Sequence, residues 1–96
     1  MLINKKTKIV ATLGPATNTK EKLTELACSG VNVFRINFSH ADYEDVKERV
    51  KQIREINEEN SYNVAVLADL QGPKLRVGVM EDGVVLEDGA EFIFTT

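Results

Sequence analysis

Apolar positions along this chain recur first at spacings of two, then of three and four, and each change of period outlines an element. Lys8-Ile9-Val10-Ala11-Thr12-Leu13 is a short β-branched run closed by Gly14-Pro15, which predicts strand one. Asn18-Thr19-Lys20-Glu21 then offers a cap residue followed three places later by a glutamate, a helix-start signal. Leu23, Leu26 and Ala27 supply a helical apolar stripe, and Gly30 stands where helices commonly end. Strand two follows at Val31 to Phe38. Its alternation puts Phe34, Ile36 and Phe38 on one face and Arg35, Asn37 and Ser39 on the other. From Asp42 to Asn60 the pattern is strongly helical, with Tyr43, Val46, Val50, Ile53 and Ile56 or Asn57 along one side and mostly charged residues between them. Strand three, Val64 to Ala68, is apolar on both faces and ends at Asp69. This is a β-α-β-α-β unit, which implies parallel strands joined by right-handed crossovers and a sheet covered on both sides.

After Gly72-Pro73 the pattern changes. Leu75 to Met80, Val84 to Leu86 and Glu91 to Thr95 read as strands, separated by Glu81-Asp82-Gly83 and Glu87-Asp88-Gly89, and Asp-Gly is a strong hairpin signal. The expected division is an α/β unit over residues 1–72 and the start of a small antiparallel β element over 73–96.

Composition narrows the function classes. Ninety-six residues allow one small domain with an adequate core, and 43% hydrophobic with 28% charged residues is ordinary for a globular protein. A net charge of −3 gives no electrostatic footprint for nucleic acid, and the basic run Lys5, Lys6, Lys8 reads as a solvated lead-in to strand one. No apolar run is long enough to span a bilayer and no signal-peptide core is visible, so neither a membrane partner nor a leader is expected. The single cysteine, Cys28, has no internal disulfide partner and reads as a small core residue; a reducing, cytoplasmic setting is expected.

The chemistry-bearing residues gather at one end of the predicted sheet. In parallel α/β architectures, binding groups collect beyond the carboxyl ends of the strands. Here those ends are Thr12-Leu13-Gly14-Pro15, Asn37-Phe38-Ser39-His40 and Asp69-Leu70-Gln71-Gly72, and the opposite ends offer nothing comparable. Oxygen donors from Asn37, Ser39 and Asp69 suit a hard cation, and Arg35 beside them suits phosphate or carboxylate through forked hydrogen bonds. Each residue has a plainer role open to it. Strand two could be an edge strand with one solvated face, Asp69 could cap a turn, His40 could cap the second helix, and Arg35 could pair with Asp69 as a structural bridge.

Three ordered motifs resemble the pyruvate kinase family. Thr7-Lys8-Ile9-Val10-Ala11-Thr12-Leu13-Gly14-Pro15-Ala16-Thr17 is similar to that family's opening strand and loop. Arg35-Ile36-Asn37-Phe38-Ser39-His40 matches its R-x-N-F-S-H motif, and Asp69-Leu70-Gln71-Gly72-Pro73-Lys74-Leu75-Arg76 its D-x-x-G-P-x-x-R motif. The resemblance implies a (β/α)8 TIM barrel of which this chain supplies the first three strands and two helices, with the start of an inserted small β domain after residue 72. It implies phosphoryl transfer from phosphoenolpyruvate to ADP, giving pyruvate and ATP, a reaction that relies on positioning and charge stabilisation. Carried over, Arg35 would contact the phosphoryl group of phosphoenolpyruvate. Asn37, Ser39, Asp69 and the Leu70 carbonyl would hold potassium, and Asn37, Phe38, Ser39, His40 and Arg76 would face the nucleotide phosphates.

One departure stands in the third motif. Potassium-dependent members resemble T-K-G-P-E where this chain has Leu70-Gln71-Gly72-Pro73-Lys74, so a lysine replaces an acidic residue. An ammonium is a compact point charge, and Lys74 is expected to substitute for the ion. The family's magnesium ligands and catalytic lysine lie on later strands, beyond residue 96, so no catalytic residue is expected in this segment and no turnover from it alone. The parent enzyme is expected to be a homotetramer. The alternatives are a non-catalytic α/β module that binds an anionic ligand through Arg35 and Asp69, and a structural piece whose edge strands pair with another chain.

Overall fold

The computed structural model describes residues 4–39 and 41–95. β1 is Val10–Thr12, α1 is Lys20–Cys28, β2 is Val33–Asn37, α2 is Tyr43–Asn60 and β3 is Ala65–Asp69, with a single 3-10 turn at Pro15–Thr17 between β1 and α1. The strands form one parallel sheet in the order β1-β2-β3. The β-α-β-α-β order read from the sequence is the observed one. Strand one is shorter than the β-branched run, yet pairing continues past both of its ends. The Ile9 carbonyl accepts from the Asn32 and Val33 amides at 2.9 and 3.1 Å, and the Leu13 amide donates to the Arg35 carbonyl at 2.9 Å.

Local chemistry sets the element ends. The cap of α1 is Thr19, not Asn18: its hydroxyl accepts from the Lys22 amide at 3.3 Å. Gly30 follows α1 with φ 112°, a left-handed conformation in which a side chain would clash with the following carbonyl. Asp42 caps α2 by accepting from the Glu44 amide at 2.9 Å. At the far end of α2 the Asn57 side chain acts as a piece of backbone. It donates to the Val64 carbonyl and accepts from the Val64 amide, both at 3.0 Å, which fixes where β3 begins.

Both helices lie on one face of the sheet, correcting the expectation of cover on both sides. The core consists of Leu23 and Ala27 from α1, Phe34 from β2, Ile53 and Ile56 from α2, and the flanking Val31 and Val64. α1 and α2 are further joined by Lys20, whose ammonium sits 3.2 Å from Glu55 and 2.8 Å from Glu59. Its hydrogen bond to Glu59, then that to Glu55, raises the Lys20 pKa above its ordinary value. β2 is the central strand, so the edge-strand alternative falls. Its burial nevertheless alternates, with Phe34 and Ile36 buried and Val33, Arg35 and Asn37 half-buried on the face turned from the helices. β3 is largely exposed, Val66 and Leu67 at 39% and 43%, because no fourth strand or third helix lies beside it among the described residues.

Three expectations are revised by packing. Tyr43 does not join the core stripe of α2; it is 66% exposed, and its ring sits 6.4 Å from that of Phe38. Cys28 is exposed at the end of α1 rather than buried. Beyond Asp69 the described residues form no strand, and every one of residues 70–95 is exposed. The two turns are present: Gly83 and Gly89 have φ 80° and 77°, and the Ala90 amide donates to the Glu87 carbonyl at 3.2 Å. The flanking segments lack a surface on which to bury Leu75, Val77 and Val79, and a hairpin without such cover is marginal. The radius of gyration of 19.1 Å, against about 13 Å for a compact chain of this length, reflects that extension.

The burial pattern of α2 makes a testable contrast. Ile53, 1% exposed, is expected to cost roughly 2–5 kcal/mol on substitution by Ala. Tyr43→Ala is expected to cost under about 1 kcal/mol, since most of its ring is already in water. Denaturant midpoints of the two variants would decide it; equal losses would mean that α2 is turned differently on the sheet.

Candidate functional site

The parallel register assembles the site. Thr12 on β1 is the partner of Arg35 on β2, and Asn37 on β2 is the partner of Asp69 on β3. Partners in a parallel pair share a face, so Thr12, Arg35, Asn37 and Asp69 all stand on the side turned from the helices, toward the carboxyl end. Arg35 reaches both neighbours. One guanidinium nitrogen donates to the Thr12 hydroxyl at 3.2 Å, and the other forms an ion pair with the Asp69 carboxylate. Their side chains are 31% and 44% exposed, so the pair is accessible from solvent. Two oxygens thus orient the guanidinium without enclosing it, and its remaining donors are free to meet an incoming anion.

Below this group the chain turns tightly. The Phe38 amide donates to the Asp69 carbonyl at 3.0 Å, carrying the β2–β3 pairing one residue past the strand. The Asn37 side-chain oxygen accepts from the Ser39 amide at 3.0 Å, which orients the amide of Asn37 and holds Ser39 beside it. Asn37, Ser39 and Asp69 are therefore brought to one end of the sheet, an all-oxygen set whose chemistry fits an alkali or other hard cation. Among the described residues no three His, Cys, Asp or Glu side chains cluster as a metal site. Leu70, Lys74 and Arg76 lie in the exposed stretch after β3. Lys74 and Arg76 make no hydrogen bond or ion pair among the described residues. His40 lies outside the described residues.

Next to the guanidinium group a cleft of about 570 Å³ opens between the β1–α1 loop and the first turns of α2. Thr12, Pro15, Asn18, Asn37, Asp45 and Arg49 are among its lining residues. Thr12 and Asn37 line this cleft and belong to the same strand ends that carry the Arg35 group. Thr12 was visible in the sequence as a strand-end residue but carried no assigned role; its register with Arg35 gives it one. In the sequence Arg49 and Asp45 fall among the charged positions between the apolar residues of α2. The available signal was that Arg49 falls three places after Val46 and four before Ile53, on the flank of the buried stripe.

An accessible arginine braced across three parallel strands, with oxygen donors and a cleft at their carboxyl ends, defines an α/β protein whose polar groups gather where such folds place their binding sites. The chain belongs to the pyruvate kinase family: the profile described as "Pyruvate kinase, barrel domain" matches residues 4–96. It is 48% identical over 91 residues to a pyruvate kinase of Methylorubrum extorquens, covering 94% of this chain and 19% of that protein. It is 47% identical over 90 residues to pyruvate kinase II of Salmonella typhimurium, covering 93% and 19%. It is 40% identical over 94 residues to plastidial pyruvate kinase 2 of Arabidopsis thaliana, covering 97% and 16%. The chain thus spans about a fifth or less of the length of these curated relatives.

The exposure of the Arg35–Asp69 pair separates structural from functional value. Because both side chains are wet, Asp69→Ala is expected to lower stability by under about 1 kcal/mol, measured by denaturant unfolding. A loss of several kcal/mol would make the pair a fold-stabilising bridge.

Proposed function

We propose that the protein carrying this segment is a pyruvate kinase that transfers the phosphoryl group of phosphoenolpyruvate to ADP, giving pyruvate and ATP. The observation that carries this reading is the guanidinium of Arg35, held by Thr12 and Asp69 at the carboxyl end of the sheet inside the stretch matched to the family. In this reading residues 1–72 are the opening of a (β/α)8 barrel and 73–96 the start of an inserted β domain. The uncovered face of the sheet would then line the barrel interior, and β3 would be covered by the strands and helices that follow.

The residues divide the work by chemistry. Arg35 binds the phosphoryl group through forked hydrogen bonds, with Thr12 and Asp69 fixing its plane so that little orientation is left to arrange on binding. Asn37, Phe38, Ser39 and Arg76 would meet the nucleotide phosphates, Asn37 from the wall of the cleft, and the motif gives His40 the same role. Asn37, Ser39, Asp69 and the Leu70 carbonyl would hold a potassium ion, which would supply positive charge to the site. Magnesium would be held by residues outside this segment. Lys74 stands five positions after Asp69, and its ammonium takes over the role of the potassium charge in the assembled site. The protein would act as a cytoplasmic homotetramer.

The test joins residues 1–96 to the remaining length of the Methylorubrum extorquens relative and follows ATP formation. We expect turnover from the chimera, and a loss on the order of 100-fold or more in kcat/KM for phosphoenolpyruvate on Arg35→Met, as befits removal of a charged, bidentate ligand group. A folded chimera that binds phosphoenolpyruvate but forms no ATP would favour the anion-binding module instead. In the same chimera Lys74→Glu is expected to create a requirement for potassium. Equal, strong activation of both forms by potassium would remove Lys74 from the role.

A further inference from the structure

The wall of the cleft opposite Asn37 depends on a residue with no assigned role. The segment Gly14 to Asn18 is closed on itself. The Thr17 hydroxyl accepts from the Gly14 amide at 3.0 Å and donates to the Gly14 carbonyl at 3.1 Å, and the Thr17 amide donates to that same carbonyl at 3.0 Å. Such a loop keeps its own shape but needs an outside tie to keep its place. Arg49 supplies it. From the middle of α2, its guanidinium donates to the carbonyl of Asn18, 31 residues earlier in the chain. The Arg49 Nε–H is buried and has no partner among the described residues. Pro15, Asn18 and Arg49 all line the cleft.

We infer that Arg49 is a positioning residue: it pins the β1–α1 loop to α2 and so fixes the width of the cleft beside Asn37 and Thr12. The tie is between a side chain of α2 and the backbone of the loop, so it holds the loop's position and not merely a side-chain rotamer. Lys20, the first residue of α1, meets α2 two to three turns further along, at Glu55 and Glu59, through solvent-accessible ion pairs that water and salt weaken. Arg49 touches the loop rather than any reacting group. Its consequence for nucleotide affinity rests on the function proposed above, whereas the bracing itself does not.

The experiment compares Arg49→Met and Arg49→Lys with the wild type in the full-length protein that carries this segment, using hydrogen exchange and kinetics. In Arg49→Met, backbone exchange over residues 13–19 is expected to rise roughly tenfold, with β2 and the rest of α2 unchanged. Arg49→Lys keeps the charge and one donor and is expected to recover part of the protection; if the Met variant does not fold, that intermediate local rise decides. The KM for ADP is expected to rise several-fold in Arg49→Met while kcat stays within about twofold. Unchanged exchange over 13–19, or a rise spread evenly over the sheet and both helices in both variants, overturns the inference. Absence of ATP formation by the wild type would instead overturn the pyruvate kinase reading, and the exchange data would still decide the role of Arg49.

Discussion

A guanidinium reaching across three parallel strands is the contact on which the site depends. Arg35 can meet Thr12 on one side and Asp69 on the other only because the strands are parallel and in this register. A one-residue slip of β3 would turn Asp69 to the helix side, replace it with an apolar neighbour, and leave a half-buried charge without a partner. The ion pair adds little to stability at its exposure. Its value is geometric: it holds a flexible side chain in one orientation before any ligand arrives.

Much of this was legible in the residues, for physical reasons that differ by element. The helices and their buried faces followed from period, because Leu23, Ala27, Ile53 and Ile56 repeat at helical spacing and each is buried. The polar face of β2 followed from strict alternation, and the gathering of Thr12, Asn37 and Asp69 at one end followed from parallel topology. Cap identity depends on which side-chain oxygen reaches a first-turn amide, and Thr19 reaches the Lys22 amide. Tyr43 departs from the pattern: an aromatic at the right spacing reads as core, whereas here it is exposed in the first turn of α2 with its ring beside Phe38. Arg49 was hidden among solvated charges, since its acceptor is a backbone carbonyl that no sequence pattern marks.

The strands expected after Gly72-Pro73 show where local pattern stops being sufficient. Glu-Asp-Gly specifies a turn through glycine's access to positive φ, and both turns form. Strand formation needs in addition a partner edge and an apolar surface, and neither stands near residues 75–95. The same shortage explains β3, whose Val66 and Leu67 are as apolar as buried strand residues yet lie open. Turn and helix chemistry is local and forms here, whereas the apolar residues of β3 and of the stretch after it stand open for want of a surface among the described residues.

β2 also relates the site to the buried layer through its alternation, which buries Phe34 and Ile36 on the helix side. Ile36 stands between Arg35 and Asn37 with its side chain turned to the helix face, where it is 6% exposed, and it also contributes to the cleft. The alternation that buries Ile36 sets how far Arg35 and Asn37 rise on the opposite face. Arg49, on the flank of the buried face of α2, sets the loop that forms the other wall. Both sides of the cleft are therefore referenced to the same packed layer of Phe34, Ile53 and Leu23. A shift of α2 along the sheet would move Arg49, and with it the loop, while leaving Asn37 where it is, so the cleft would change width with no residue in its lining altered. Positioning at this end of the sheet is a property of how the helices pack, and only the final orientation of each donor belongs to the motif residues themselves.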